Sequence, residues 1–276
     1  MDRVAPLPAV ARLCCTALMI RTNSADGTPI AFERIGDGDP VLVVGGAFST
    51  ADAGRPLAAA LAQAGLSGVV LDRRARGGSG DTAPYAPERE AEDLAAVVDA
   101  VGGAAAVFGH SSGAVLSLLA AANGVAATHL FLSEPPFRFG EDEPADDLPE
   151  RLQALVDAGR PGDAVTLFQR EGVGLPEAVI EEIRSSPMFA RLLPLAPSTV
   201  HDATLTRAVS TPTPAMLAVR APVTVLRGEP TVPLLVRAAE RLAGSIEHAE
   251  LVVVPESRDH GVDPAGTARE VAARLR

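Results

Sequence analysis

Ala105-Ala106-Val107-Phe108-Gly109-His110-Ser111-Ser112-Gly113 is the stretch that decides the fold of this 276-residue chain. Its first four residues form a short apolar run suited to a buried strand, and the Ala- and Leu-rich run from Ser112 to Ala122 suits a helix. Between them stands Gly-x-Ser-x-Gly. In a chain with 25 glycines the pattern alone says little, and its meaning comes from the strand before it and the helix after it. The two glycines let the backbone pass through a strained turn without Cβ clashes. The Ser111 hydroxyl is then presented clear of the sheet at a helix N-terminus, where backbone N–H groups favour developing negative charge. Ser111 is therefore the expected nucleophile, with Ser112 serving through its backbone.

Outward from this point, short β-branched runs alternate with Ala-rich helical stretches, which predicts an α/β fold with a mostly parallel central sheet flanked by helices. Strands are expected at Ile30–Arg34, Val41–Val44, Gly68–Leu71, Ala105–Phe108, His129–Leu132, Val223–Leu226 and Leu251–Val254. Helices are expected near Arg55–Ala64, Pro87–Val101, Ser112–Ala122, Val232–Leu242 and Pro264–Leu275. Glu88, Glu90, Glu92 and Asp93 open the second of these helices and read as charges set against its positive end. From 137 to 220 the β-branched runs vanish and amphipathic stretches take over, at Leu148–Ala158, Pro161–Glu171, Pro176–Arg184 and Ser198–Val209. The expected organisation is an N-terminal extension over 1–18, a core domain over 19–136 and 221–276, and a helical cap over 137–220. Both ends of the cap are expected at the carboxyl edge of the sheet.

Composition excludes several function classes. With 24 Lys plus Arg against 35 Asp plus Glu, the formal charge is -11, so a polyphosphate would bind against the overall field. No Trp and one Tyr leave little for stacking bases, so no nucleic-acid partner is expected. The two cysteines, adjacent at Cys14 and Cys15, form neither a disulfide framework nor a common zinc spacing. No membrane association is expected either: the run from Leu13 to Ile20 stops at Arg21, too short to span a bilayer and poor as a secretory signal. A cytoplasmic protein needing no cofactor or metal and acting on a small molecule is the expectation. Gly78, Gly80 and Ala83 spell a dinucleotide-type pattern, but Pro84 and Tyr85 follow where a helix should open, so no Rossmann site is expected.

The elbow and its surroundings resemble the α/β-hydrolase family, and the resemblance extends from Met19 to the C-terminus. Val41-Leu42-Val43-Val44-Gly45-Gly46 is similar to the strand that ends in the family's oxyanion turn, which implies Ala47 and Ser112 N–H groups as oxyanion donors. Leu71-Asp72-Arg73-Arg74-Ala75-Arg76-Gly77-Gly78-Ser79-Gly80 resembles a structural loop of the family, with Ala75 replacing its first Gly. A serine needs a base, and of the five histidines His260 matches the family's catalytic position in order and setting, between the last strand and the last helix. His110 is adjacent to the nucleophile and faces elsewhere; His129, His201 and His248 read as solvated or satisfied in the core.

The acid is where the chain departs from the common pattern. The usual place, three after the Gly ending the next-to-last strand, is Thr231. Glu229 lies two residues early. Glu134, just past the strand that follows the nucleophile helix, stands where some haloalkane-dehalogenase-like members carry their acid, and it is preferred over Glu229 and over a connector role. Those dehalogenases and the epoxide hydrolases use Asp at the elbow, so Ser111 implies an acyl-enzyme route instead. The resemblance thus implies a cofactor-independent serine hydrolase, esterase-like, acting on a small or medium apolar ester, thioester or lactone-like substrate. The alternative is a hydrolase-fold ligand-binding protein with little or no turnover, which Thr231 would suit.

Overall fold

The computed structural model describes residues 19–276, so the vicinal cysteines and the expected 1–18 extension lie outside the described residues. Eight strands form one sheet: β1 (Ile20–Asn23), β2 (Pro29–Ile35), β3 (Pro40–Val44), β4 (Ser67–Leu71), β5 (Ala105–His110), β6 (Ala127–Ser133), β7 (Val223–Gly228) and β8 (Ala249–Val254). Their order is β1-β2-β4-β3-β5-β6-β7-β8. β1 and β2 run antiparallel at one edge and the rest are parallel. This is the α/β-hydrolase architecture.

Successive side chains on a strand face opposite ways, so a sheet covered on both sides reads as continuous apolar runs. Leu42, Val44, Val107, Leu130, Leu132 and Val225 pack with helices α2 (Pro87–Ala100), α3 (Ser112–Ala122) and α10 (Pro233–Ser245) on one side. Val41, Val43, Ala106, Phe108, Phe131 and Leu226 pack with α1 (Ala51–Gln63) and α11 (Pro264–Arg274) on the other. β1 has no counterpart among the expected strands, because its Ile-Arg-Thr-Asn is short, polar and on an edge. Helix α1 begins at Ala51, four residues ahead of the expected Arg55. The Asp72 carboxylate, just past the end of β4, accepts the Ala51 N–H at 2.7 Å and caps the helix.

The acids that open α2 also need correction. Glu90 and Asp93 are buried, and they pair with Arg73 and Arg74 rather than facing water at the helix end. The Arg74–Asp93 pair is bidentate, at 2.8 and 2.7 Å.

A helical insertion follows β6. It consists of α4 (Leu148–Asp157), α5 (Pro161–Leu167) continuing into a π-turn at Phe168–Val173, α6 (Glu177–Ser185), α7 (Pro187–Leu192) and α8 (Ala196–Ala208). The single helix expected over Pro161–Glu171 is thus two segments. After a short α9 (Pro214–Leu217) the chain enters β7. β7 runs parallel to β6, with Val223 opposite Leu130 and Leu226 opposite Ser133. A parallel return must begin at the opposite edge. The chain therefore leaves β6 at the carboxyl rim and re-enters at the amino side, so the expectation that both ends share one rim is wrong.

Candidate active site

β5 delivers Ser111 to the carboxyl rim of the sheet at φ 55 and ψ -126, immediately ahead of α3. Both flanking glycines are required by contact. A Cβ on Gly109 would stand 2.5 Å from Ala114 Cα, and one on Gly113 would stand 2.3 Å from the Val44 carbonyl oxygen. α3 therefore packs its first turn directly on the end of β3. The next residues of that strand's exit, Gly45 to Phe48, pass beside the serine: a Cβ on Gly46 would lie 2.8 Å from Ser111 Cβ and 3.4 Å from Ser111 Oγ. Among the described residues, neither the Ala47 nor the Ser112 amide donates a hydrogen bond to the protein. Buried or half-buried amides ordinarily find partners, so two unspent donors beside one hydroxyl are a place for an anion.

β6 ends next to β5 and carries Glu134 just beyond its last residue. The carboxylate is buried at 2% exposure; Oε2 lies 2.5 Å from His260 Nδ1, and Oε1 accepts the Gly228 N–H at 2.9 Å. Burial pushes this carboxyl up, but the His260 contact, the Gly228 amide and the neighbouring Thr231 hydroxyl outweigh it and hold it below the usual range. Thr231, standing where the family pattern places an acid, faces Glu134 with an otherwise unpartnered buried hydroxyl. Glu229 is exposed and its side chain takes no part. With Nδ1 engaged, the His260 ring atom left for a serine is Nε2. Neither that atom nor Ser111 Oγ makes a hydrogen bond to another described residue. Of the residues expected at the site, Ser111, Ser112, Ala47, Glu134 and His260 all come to this rim.

Backbone strain marks the same place. Phe48, Ser111, Glu134 and His260 all have positive φ, at 59, 55, 47 and 63 degrees. Such conformations cost energy and persist where surrounding structure imposes them.

His110 holds the histidine loop. Its ring lies 4.7 Å from that of His260, and its Nε2 is 3.0 Å from the His260 carbonyl oxygen. A carbonyl only accepts, so Nε2 carries the proton and donates. Burial, with His260 next, pushes His110 down to about 4. Because the unfolded chain takes up this proton near the ordinary histidine value of 6.5, stability should fall as pH drops from 6.5 to about 4, by up to about 3 kcal/mol. Urea midpoints of wild type and His110→Gln, compared at pH 7 and pH 4.5, check this: the wild type should lose more. The ligand-type atoms of His110, Glu134 and His260 lie within 4.8 Å of one another. They are already committed to each other and to a carbonyl, which suits an acid–base pair better than a metal centre.

The other histidines lie elsewhere. His129 bonds Thr224 Oγ1 at 2.9 Å within the sheet, and His248 is exposed. His201, in α8, is buried and stacks on Tyr85 with ring centroids 4.0 Å apart. Phe168 and Phe189 of the insertion pack in one apolar cluster with Ala47 and Phe48, and Phe48 meets Phe168 edge-on at 5.5 Å. Phe137 lies in the core under the sheet, and Met188 is exposed. No helix among the described residues is long and apolar enough to cross a membrane.

The chain belongs to the alpha/beta hydrolase family, whose sequence pattern it matches over residues 41–274. Among solved structures it is similar to an alpha/beta hydrolase from Sphaerobacter thermophilus, at 42% identity over 93% of this chain and 100% of that one, with a TM-score of 0.86. An esterase from Thermogutta terrifontis shares the fold at 22% identity and a TM-score of 0.69, over 94% of this chain and 97% of its own. An enol-lactonase from Burkholderia xenovorans does so at 18% and 0.63, over 92% and 97%. No protein of curated function matches the chain.

Proposed function

We propose that this hydrolase is a cofactor-independent serine esterase working through an acyl-enzyme. Ser111 attacks the carbonyl, His260 Nε2 takes the serine proton and returns it to the leaving group, Glu134 holds the imidazole through Nδ1, and the Ala47 and Ser112 amides receive the oxyanion. The Glu134–His260 contact at the elbow's rim carries this reading, because a buried ionised acid on the far ring nitrogen is what a general-base histidine needs. The Ser111–His260 link closes when substrate fills the site, as catalytic hydrogen bonds commonly tighten on binding. The contact also favours turnover over a ligand-binding protein, since Glu134 supplies the charge that Thr231 does not.

The preferred substrate is a small or medium, uncharged acyl compound. Ala47, Phe48, Phe168 and Phe189 make the surroundings of the oxyanion turn apolar, which favours an acyl chain over a carboxylate or phosphate. An ester, a thioester and a lactone all present the same carbonyl to Ser111. A series of p-nitrophenyl esters from acetate to octanoate tests the reading. Turnover is expected with a pre-steady-state burst of one p-nitrophenol per chain wherever deacylation limits, and addition of a charge to the acyl chain should raise KM. Absence of turnover on every member would contradict it.

A further inference from the structure

The carbonyl and N–H of one trans peptide point in opposite directions. The Gly46 carbonyl is held from behind: Arg76 Nη1 donates to it at 2.6 Å and to the Ser49 carbonyl at 3.2 Å. The Ala47 N–H, on the same peptide plane, is thereby turned away from Arg76. Arg73 does the same next door, where Nη1 reaches the Gly45 carbonyl at 3.3 Å and Ser112 Oγ at 3.2 Å.

Both guanidiniums are anchored on one carboxylate from the insertion. Asp202, in α8, accepts Arg76 Nη2 on Oδ2 at 2.6 Å and Arg73 Nη1 on Oδ1 at 2.9 Å. Its Oδ1 also accepts the Ser112 hydroxyl at 2.8 Å. Glu90 holds the other side of Arg73, at 2.9 and 2.8 Å, and receives the Tyr85 hydroxyl at 2.7 Å. The four charged side chains of this network are 1% exposed or less. Burial alone would push the Asp202 carboxyl up, but Arg76 and Arg73 outweigh it and keep it ionised. A buried ion network of this kind is weak evidence for stability but fixes geometry, since each charge has one acceptable position.

We propose that Asp202 is the positioning residue of the oxyanion hole, aiming the Ala47 amide through Arg76 and the Ser112 amide through the Ser112 hydroxyl, so that the hole is complete only with α8 seated. The proposal rests on the assignment of those two amides as oxyanion donors. Asp202 touches no substrate, and its effect belongs to the transition state, where the oxyanion exists, rather than to the bound ester.

The test compares Asp202→Asn, Ser112→Ala, Ser111→Ala and Arg207→Ala with wild type on p-nitrophenyl acetate. Arg207 joins α8 to Glu150 and the Asp146 carbonyl on the surface and serves as a control for loosening the insertion. Asp202→Asn should lower kcat on the order of a hundredfold, the scale of losing an oxyanion donor, with KM unchanged to within about twofold. Ser112→Ala leaves every charge in place and should cost about tenfold in kcat. Inhibition by a trifluoromethyl ketone, which forms the oxyanion, should weaken by the same factor as kcat/KM. Arg207→Ala should stay within about twofold of wild type on both measures. Wild-type kcat in a folded Asp202→Asn, a loss confined to KM, or an equal loss in Arg207→Ala would each overturn the proposal. If Asp202→Asn does not fold, Ser112→Ala decides, and wild-type kcat there overturns it. Activity surviving in Ser111→Ala would instead sink the assignment of the site itself, whereas an inactive Ser111→Ala beside a wild-type-like Asp202→Asn sinks the positioning role alone.

Discussion

Ser111→Ala is expected to lower kcat by on the order of a millionfold, as removal of the nucleophile of a serine triad does, while the protein stays folded. The size follows from position. The side chain makes no hydrogen bond in the structure, so its loss breaks nothing that holds the elbow, and alanine follows the same φ of 55 degrees with no larger Cβ. What disappears is the one atom that can form the ester. The histidine, the carboxylate and the two amides remain, and they support only attack by water. Steady-state kinetics on p-nitrophenyl acetate, with circular dichroism as the check on folding, measure the effect. A variant within about a hundredfold of wild type would show that chemistry proceeds without this hydroxyl.

Glu134→Gln should cost about ten-thousandfold in kcat, the scale seen when a triad acid is replaced by its amide. The amide can keep the Gly228 N–H on its oxygen, now 2.9 Å from Oε1, and present its NH2 to His260 Nδ1. That would force Nδ1 to accept and place the proton on Nε2, where the serine's own proton must go. The charge that stabilises the imidazolium goes too. Glu229→Gln, at an exposed position, should stay within about twofold of wild type. Comparable losses at both positions, or a larger one at Glu229, would reassign the acid.

The elbow was legible in the sequence because its pattern is local, a strand, two closely spaced glycines and a helix, although the Val44 carbonyl that forces Gly113 lies far away in the chain. The sheet was legible for the same reason, apart from β1, whose polar residues on an edge carry no apolar signal. Position along the strands also pointed to Glu134, since β5 and β6 are neighbours in the chain as well as in the sheet. What the sequence hid depends on distant partners. Arg73 and Arg76 sit in a loop read as structural, and the Asp202 that holds them is 129 and 126 positions away. Glu90 and Asp93 looked like helix-end charges because nothing local shows that Arg73 and Arg74 turn towards them. The expected return of the insertion at the carboxyl rim fails because β7 runs parallel to β6, so the chain must re-enter at the amino side.

The site of covalent attachment distinguishes an acyl-enzyme on Ser111 from any other route. Incubation of the native chain with a fluorophosphonate, followed by proteolysis and mass spectrometry, reads it. A single adduct on Ser111, one per chain, absent from Ser111→Ala and retained in Ser112→Ala, is the expected result. An adduct on Ser112 that persists in Ser111→Ala, or no adduct on a protein that hydrolyses esters, would contradict it.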